Sequence, residues 1–256
     1  MEKKYVFIGG KQIGYECLKI LLKNRISPSL VIANTDDKGD ILWHDSVANL
    51  AKQNNLPLTT ADMLKSKALK AKIMQINPEI IFCIGSTAYI PEGILSSAKI
   101  GTINIHPALL PKYRGRYSTV HAIFNGEKTT GVTLHWMNDR IDAGPIIMQE
   151  KFPILPEDTG KAVYNKFTKT GVKLFSKFLK KYLMKMSIPA KNQNEKQATY
   201  YPKGLPNNGN IDWNWSGKKI YNFIRAMTFE PFPPVTFKIG KKNMIIIDEK
   251  YIKDIK

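Results

Sequence analysis

What most constrains the fold is a change of period that repeats along the first half of the chain. Continuous apolar runs, KYVFIGG at 4–10, SLVIANT at 29–35 and PEIIFCIG at 78–85, followed by a further strand pattern, GTINIH at 101–106, are separated by stretches with helical spacing such as YECLKILLKN at 15–24 and DSVANLAKQNN at 45–55. Runs without polar alternation belong to strands covered on both faces, and strands that alternate with helices build a parallel sheet with crossover connections. The pattern predicts an α/β protein, a Rossmann-like and mostly parallel sheet with flanking helices. TTGVTLHWM at 129–137 supplies a further strand and residues 160–185 a long helix, whose Val163, Phe167, Leu174, Phe178 and Leu183 hold one face while lysines hold the other.

Beyond that helix the composition shifts. SIPAKNQNEKQATYYPKGLPNNGNIDW, 187–213, is rich in Asn, Pro, Gly and Lys and is expected to be a connecting segment rather than packed structure. A short helix, SGKKIYNFIRAM, and a β-hairpin over VTFKIGKKNMIIIDEKY end the sequence. The organisation expected is a catalytic domain over 1–190 and an extension of linker, helix and hairpin over 191–256.

At 256 residues and 43% hydrophobic, the chain can bury a large core without covalent staples. Its two cysteines, Cys17 and Cys83, lie far apart inside apolar patterns and are expected to be buried, reduced thiols. No run of about 18 apolar residues indicates a membrane span, and the polar start turns into a strand at once, which leaves no signal peptide and places the protein in the cytoplasm. The 39 Lys and Arg against 21 Asp and Glu attract anions of every kind, so charge alone does not choose between nucleic acid and a phosphorylated small molecule. His44, His121 and His135 have no ligand spacing, and no metal is expected.

The chemistry is carried by one strand end. Ligands of open α/β sheets bind beyond the carboxyl ends of the strands, and Asn104 and His106 stand at such an end, two apart and therefore on one side of the strand. The loop WMNDRIDAGPII brings Asp142 past the end of another apolar strand. An amide donor, an imidazole and a carboxylate suit acyl transfer to an amine, with the amide and imidazole stabilising an oxyanion and the imidazole or carboxylate handling the amine's proton. No nucleophile elbow is present and neither cysteine is placed for catalysis, which favours direct transfer. FIGGKQIG, 7–14, reads as a tight strand-to-helix turn. Trp213 and Trp215, beside Tyr200 and Tyr201, either stack on a nucleobase or pack the tail onto the core.

The motifs Asn104-Ile105-His106-Pro107, Leu109 to Gly115, Gly131-Val132-Thr133 and Asp142-Ala143-Gly144-Pro145 resemble the catalytic core of the folate-dependent formyltransferases over about residues 1–190. That resemblance implies the formyltransferase fold, 10-formyltetrahydrofolate as co-substrate, and Asn104, His106 and Asp142 as the catalytic set. Asn104 would hold the formyl oxygen, His106 would act as base or oxyanion partner, and Asp142 would orient it. It also implies a pterin pocket lined by Ser86, Thr87, Ala88, Tyr89 and Ile90 and by Asn138, Arg140 and Ile141. Among members of the family the chain is most similar to the sugar N-formyltransferases that act on nucleotide-linked 4-aminosugars, through the 111–116 loop, Ala198 to Tyr201, Ile211-Asp212-Trp213 and Asn222 to Ala226.

The acceptor residues so implied are Lys112, Tyr113, Arg114, Gly115, Arg116, Tyr201, Lys203, Asn222 and Arg225. PKGLP at 202–206 departs from relatives that carry arginines there and keeps Lys203 alone. The partners expected are folate, a nucleotide-linked aminosugar of dTDP or UDP type, and a second copy of the chain docked through the hairpin; no membrane and no nucleic acid are expected. The purine-pathway enzyme that formylates glycinamide ribonucleotide is the runner-up, although it leaves the segment beyond 195 unexplained. Only 46 residues follow Asn210, short of the barrel of methionyl-tRNA formyltransferase.

Overall fold

The structure is a computed structural model, described over residues 3–39, 43–230, 232–233, 235–239 and 242–246. In chain order the elements are β1 (Tyr5–Gly9), α1 (Lys11–Lys23), β2 (Leu30–Ala33), α2 (Val47–Gln53), β3 (Leu58–Thr60), α3 (Lys67–Ile76), β4 (Ile80–Ile84), α4 (Glu92–Leu95) and β5 (Gly101–His106). They continue with β6 (Arg114–Gly115), α5 (Ser118–Phe124), β7 (Thr129–Trp136), β8 (Ile146–Pro153), α6 (Gly160–Leu183), β9 (Tyr200–Tyr201), α7 (Gly217–Met227), β10 (Val235–Ile239) and β11 (Lys242–Ile246).

Among the described residues the main sheet runs in the order β3-β2-β1-β4-β5-β7-β8. The first five strands are mutually parallel, and β7 turns antiparallel to β5 with Asn104 opposite His135 and His106 opposite Thr133. Strand order reverses on either side of β1, so the loops after β1 and β4 diverge and leave a crevice at their carboxyl ends. The apolar runs are buried on both faces because residues alternate across the sheet. Val6, Ile8, Ile81 and Cys83 join one cluster with Leu69, Ile73 and Ile94, while Phe82 packs edge-on against Phe175 of α6 at 5.7 Å. Cys17 and Cys83 are both free and buried, and burial pushes the Cys83 thiol up to about 12.

The turn after β1 is built by close approach. A Cβ on Gly9 would lie 1.8 Å from the Ile84 carbonyl oxygen, and Gly10 N donates to that same oxygen at 3.2 Å. Only glycine lets the two backbones come together there, which makes FIGG a sheet turn. The amphipathic face expected on α6 is buried at Val163, Phe167, Leu174 and Phe178, but its last member, Leu183, is exposed where the helix ends. Strand β8 escapes the periodicity because it ends the strand order and carries charge after Met148; an edge strand needs no continuous apolar run.

By packing, the chain forms two compact units, each drawn from three segments: residues 1–106, 133–148 and 171–193, and residues 107–132, 149–170 and 194–256. In the second, the segment expected to be a mere connection carries structure. Tyr200–Tyr201 pairs in parallel with Arg114–Gly115, and Thr199 Oγ1 accepts from Tyr113 N at 2.8 Å. Helix α7 starts at a Ser216 cap, which accepts from Lys219 N, and Trp215 packs against Phe124 and Phe223. Trp213 instead stays exposed and sits edge-on to Phe237 of the hairpin β10–β11 at 5.6 Å, so only Trp215 is shown in a packing role.

Candidate active site

In the first unit the end of β5 presents Asn104 and His106, and the loop after β7 presents Asp142 in a left-handed conformation, φ 52°. An aspartate tolerates this conformation better than most residues, and it turns the carboxylate back over the strand end. The Asp142 carboxylate gathers three groups. Oδ2 lies 3.3 Å from His106 Nδ1, while Oδ1 accepts from Asn104 Nδ2 at 3.4 Å and lies 3.7 Å from His135 Nε2. Two further contacts pin the loop that carries it, since Gln193 Nε2 donates to the carbonyls of Asp142 and Gly144, each at 2.7 Å.

His135 and Gln193 touch this cluster, and sequence reasoning gives neither a place in it. His135 is 1% exposed, and its Nδ1 lies 2.8 Å from the Trp136 carbonyl. A carbonyl can only accept, so Nδ1 carries a proton, and in the neutral tautomer this selects Nε2 presents a lone pair. That lone pair faces Asn104 Nδ2 at 3.2 Å. With an imidazole lone pair and a carboxylate on the same side, the Asn104 amide is held with its NH2 toward them. The signal that could have found His135 is its place opposite Asn104, but only the antiparallel register of β5 and β7 creates that pairing.

The same logic assigns His106. Because Asp142 engages Nδ1, the tautomer with its proton there is favoured, and exchange with a reacting amine falls to Nε2. The group can therefore offer an amide donor, a base whose partner is a carboxylate, and no activated nucleophile.

Beside this cluster the loop after β4 begins at Gly85. Asn34, at the end of β2, holds it: Nδ2 donates to the Gly85 carbonyl at 3.1 Å and Oδ1 accepts from Thr87 N at 3.2 Å. Ala88 N bonds Ser86 Oγ, and Ala88, Ile90 and Met137 pack on the same apolar cluster as Cys83. Tyr89 and Ile141 stay exposed, as do Asn138 and Arg140, so a fixed backbone loop is flanked by exposed apolar and polar side chains. A flat ring with a hydrogen-bonding edge fits such a lining.

The acceptor candidates all belong to the second unit. Tyr113 stacks on Tyr201 with ring centres 5.3 Å apart, and Tyr201 stacks on His121 at 4.0 Å. Burial lowers the His121 pKa to about 4, so the stack contains a neutral imidazole. Gly115, φ 93°, is required because a Cβ there would lie 2.1 Å from the Tyr201 carbonyl oxygen. Two arginines are turned inward: Arg114 grips Glu195 with Nη1 and Nη2 at 3.0 and 2.8 Å, and Arg225 donates to Asn222 Oδ1 and to the carbonyls of Leu155 and Asp158. Lys112, Arg116 and Lys203 are exposed. Among the described residues no group of three His, Cys, Asp or Glu is placed to hold a metal ion, and no helix is long and apolar enough to cross a membrane.

A mostly parallel α/β sheet that carries an amide, an imidazole and a carboxylate at the carboxyl end of one strand has the groups that an acyl transfer to an amine uses. The chain belongs to the formyl transferase family: residues 3–179 match the formyl transferase model and residues 205–255 the formyl transferase C-terminal domain. It is 33% identical over 248 residues to the bifunctional polymyxin resistance protein ArnA of Wigglesworthia glossinidia brevipalpis, covering 96% of this chain and 38% of that protein. Its structure resembles an N-formyltransferase from Helicobacter canadensis in complex with folinic acid and dTDP-3-aminofucose, with TM-score 0.76, 26% identity and coverage of 94% and 85% of the two chains. It also resembles WlaRD, a sugar 3N-formyl transferase determined with dTDP and 5-N-formyl-THF, with TM-score 0.73, 26% identity and coverage of 92% and 83%.

Proposed function

We propose that the chain moves a formyl group from 10-formyltetrahydrofolate to the amine of a nucleotide-linked aminosugar, of the dTDP-4-amino-4,6-dideoxyglucose kind, by direct attack of the amine. The observation that carries this reading is the Asp142 carboxylate set between His106 Nδ1, Asn104 Nδ2 and His135 Nε2. The folate supplies the formyl carbon. Asn104 Nδ2 orients and stabilises the carbonyl oxygen as it gains charge, for which one N–H must be exchanged from its long contact with Asp142. His106 Nε2 removes the proton that the attacking amine must lose and returns it to the folate nitrogen as the bond between that nitrogen and the formyl carbon breaks, while Asp142 stabilises the intervening imidazolium through Nδ1. The loop at 85–90, fixed by Asn34, holds the pterin, with Asn138, Arg140 and Ile141 beside it. Lys112, Arg116, Lys203, Tyr113, Tyr201 and Asn222 serve the acceptor, while Arg114, Gly115 and Arg225 shape the loops that present them.

The named ligands of the two solved relatives, a folate with dTDP-3-aminofucose and with dTDP, support a folate donor and a dTDP-linked aminosugar as acceptor, while the 4-amino position rests on the motif resemblance. The reading extends to synthesis of a surface polysaccharide such as O-antigen or lipopolysaccharide, in the cytoplasm, by a homodimer joined through β10–β11. In that hairpin Val235 lies opposite Ile246 and Phe237 opposite Met244, which gathers four apolar residues on one face and leaves Met244 exposed. The test is an assay with 10-formyltetrahydrofolate and a panel of dTDP- and UDP-linked aminosugars, glycinamide ribonucleotide and Met-tRNA. Formylation of an aminosugar at least tenfold more efficiently than of the other two supports the reading; preferential turnover of either of those replaces it.

A further inference from the structure

Asp142 stands in the connection between β7 and β8, and that connection is fixed at its ends by the backbone. Met137 N donates to the Thr102 carbonyl at 2.7 Å and Trp136 N to the Pro145 carbonyl at 3.0 Å, which closes residues 137–144 into a loop. Gly144 lies flat against the strand, since a Cβ there would stand 1.9 Å from the Trp136 carbonyl oxygen. Arg140 N bonds Asn138 Oδ1 at 3.1 Å, and Ala143 N reaches the Arg140 carbonyl at 3.3 Å. These contacts hold the backbone on either side of Asp142. They leave its own φ of 52° to be accounted for, a left-handed conformation that is disfavoured for a residue with a Cβ and persists only where surrounding contacts impose it.

The imposing contact comes from a different stretch of the chain. After α6 the backbone returns and pairs with the first residue of β8: Ile146 N donates to the Lys191 carbonyl and Lys191 N to the Ile146 carbonyl, both at 2.8 Å. Two residues on, Gln193 Nε2 donates to the carbonyls of Asp142 and Gly144, each at 2.7 Å. Carbonyls only accept, so the NH2 end of the amide faces the loop with one N–H for each of them. One planar group that bridges two carbonyls of a single turn sets their separation, and with it the backbone dihedrals from 142 to 144. The two backbone bonds at Lys191 already dock the returning segment on β8. What the Gln193 amide adds is the grip on the loop.

The same turn aims the catalytic carboxylate. Asp142 Oδ2 lies 3.3 Å from His106 Nδ1, and Oδ1 accepts from Asn104 Nδ2 at 3.4 Å. Both contacts are longer than the usual N–H···O range, so a small rotation of the backbone at 142 breaks them. We propose that Gln193 is a positioning residue for formyl transfer: it holds Asp142 left-handed and thereby keeps the carboxylate on His106 and Asn104. The inference rests on the reading of Asp142 as a catalytic residue. It gives position 193 a requirement for two donors on one flat group, which glutamate, alike in shape, does not meet when ionised.

The test uses the full chain and the acceptor that wild type turns over. It compares Gln193→Leu, Gln193→Glu, Asp142→Ala and the Gln193→Leu/Asp142→Ala double variant, with folding checked by circular dichroism. Both Gln193 variants should lower kcat about 10- to 100-fold, the scale of misplacing a catalytic group by about 1 Å, with the folate KM within about threefold. In the Asp142→Ala background Gln193→Leu should cost less than about twofold more, because a residue that acts through Asp142 has nothing left to position. A loss of folded protein would instead carry over in full to the double variant. The inference is overturned by a kcat within about twofold of wild type in both folded variants, or by independent losses in the double variant. It is overturned equally by a loss confined to the folate KM, which would make the amide a support for the pterin rather than for Asp142. Crystal structures of wild type and Gln193→Leu supply a readout that needs no turnover. In the variant Asp142 should leave positive φ or its carboxylate should move about 1 Å or more from its wild-type place, and an unchanged Asp142 sinks the inference. Should wild type formylate none of the acceptors, the functional reading falls, and the two structures alone decide whether Gln193 holds Asp142.

Discussion

Replacing His135 by phenylalanine keeps a flat ring of similar volume and deletes both ring nitrogens. The structure gives the two losses: a 2.8 Å contact to the Trp136 carbonyl and a 3.2 Å contact that accepts from Asn104 Nδ2, made by a ring that is 1% exposed. Groups stranded away from water cost about 1–3 kcal/mol, which in a chain of this size lowers Tm by roughly 2–10 °C. The larger effect is on rate. Losing a complete oxyanion donor costs about 10²–10³ in kcat; here Asn104 stays tethered to Asp142 at 3.4 Å, so the loss of orientation is partial and kcat should fall by about 10- to 100-fold. KM for both substrates should stay within about threefold, because neither ring nitrogen of His135 is placed to bind substrate. His135→Gln, which restores a donor and an acceptor on a flat group, should recover part of the rate. Steady-state kinetics with thermal unfolding on the same samples decides it. A folded His135→Phe enzyme with kcat within twofold of wild type, or a loss confined to KM, refutes the positioning role.

Asn104→Ala, His106→Ala and Asp142→Ala should each lower kcat by about 100-fold or more, and double variants should fall little further, because the three act as one unit; single-turnover rates measure this. Burial holds His121 at about 4 in the fold against about 6.5 in the unfolded chain. Below about 6.5 the unfolded chain takes up a proton that the fold refuses, so up to about 3 kcal/mol of stability is lost as pH falls toward 4. Denaturant unfolding of wild type and His121→Phe at pH 7 and 4.5 should show a gap that changes in the variant's favour at low pH, and parallel curves would contradict it. Met244→Asp, on the exposed corner of the hairpin, should convert the proposed dimer to monomer in sedimentation, and an unchanged dimer would remove the hairpin from the interface.

The sheet was legible because its physics is local. A strand buried on both faces is apolar throughout, so β1, β2 and β4 announce themselves, and along β5 the two-residue period puts Asn104 and His106 on one side of the strand without any knowledge of the fold. Caps are local too, which is why Ser46 and Ser216 start α2 and α7 where the pattern places them. Elements that satisfy themselves through distant partners left weaker traces. Strand β8 is an edge strand with charged positions, and Tyr200–Tyr201 is a strand only because Arg114–Gly115 lies beside it.

For the site, the identities of Asn104, His106 and Asp142 follow from residue type and motif, but their relations do not. Only the antiparallel register of β5 and β7 sets His135 opposite Asn104, and only the return of the chain after α6 brings Gln193 to the Asp142 loop. The side chains of Arg114 and Arg225 show the same limit. Sequence supplies two cations for an anionic acceptor, whereas the tertiary structure turns both inward onto Glu195 and the Leu155 and Asp158 carbonyls, because a buried guanidinium must satisfy its donors wherever acceptors lie. Composition and spacing determine what chemistry the chain can carry. Which groups share a proton, which merely hold a loop and which face a ligand are decided by contacts between residues tens of positions apart.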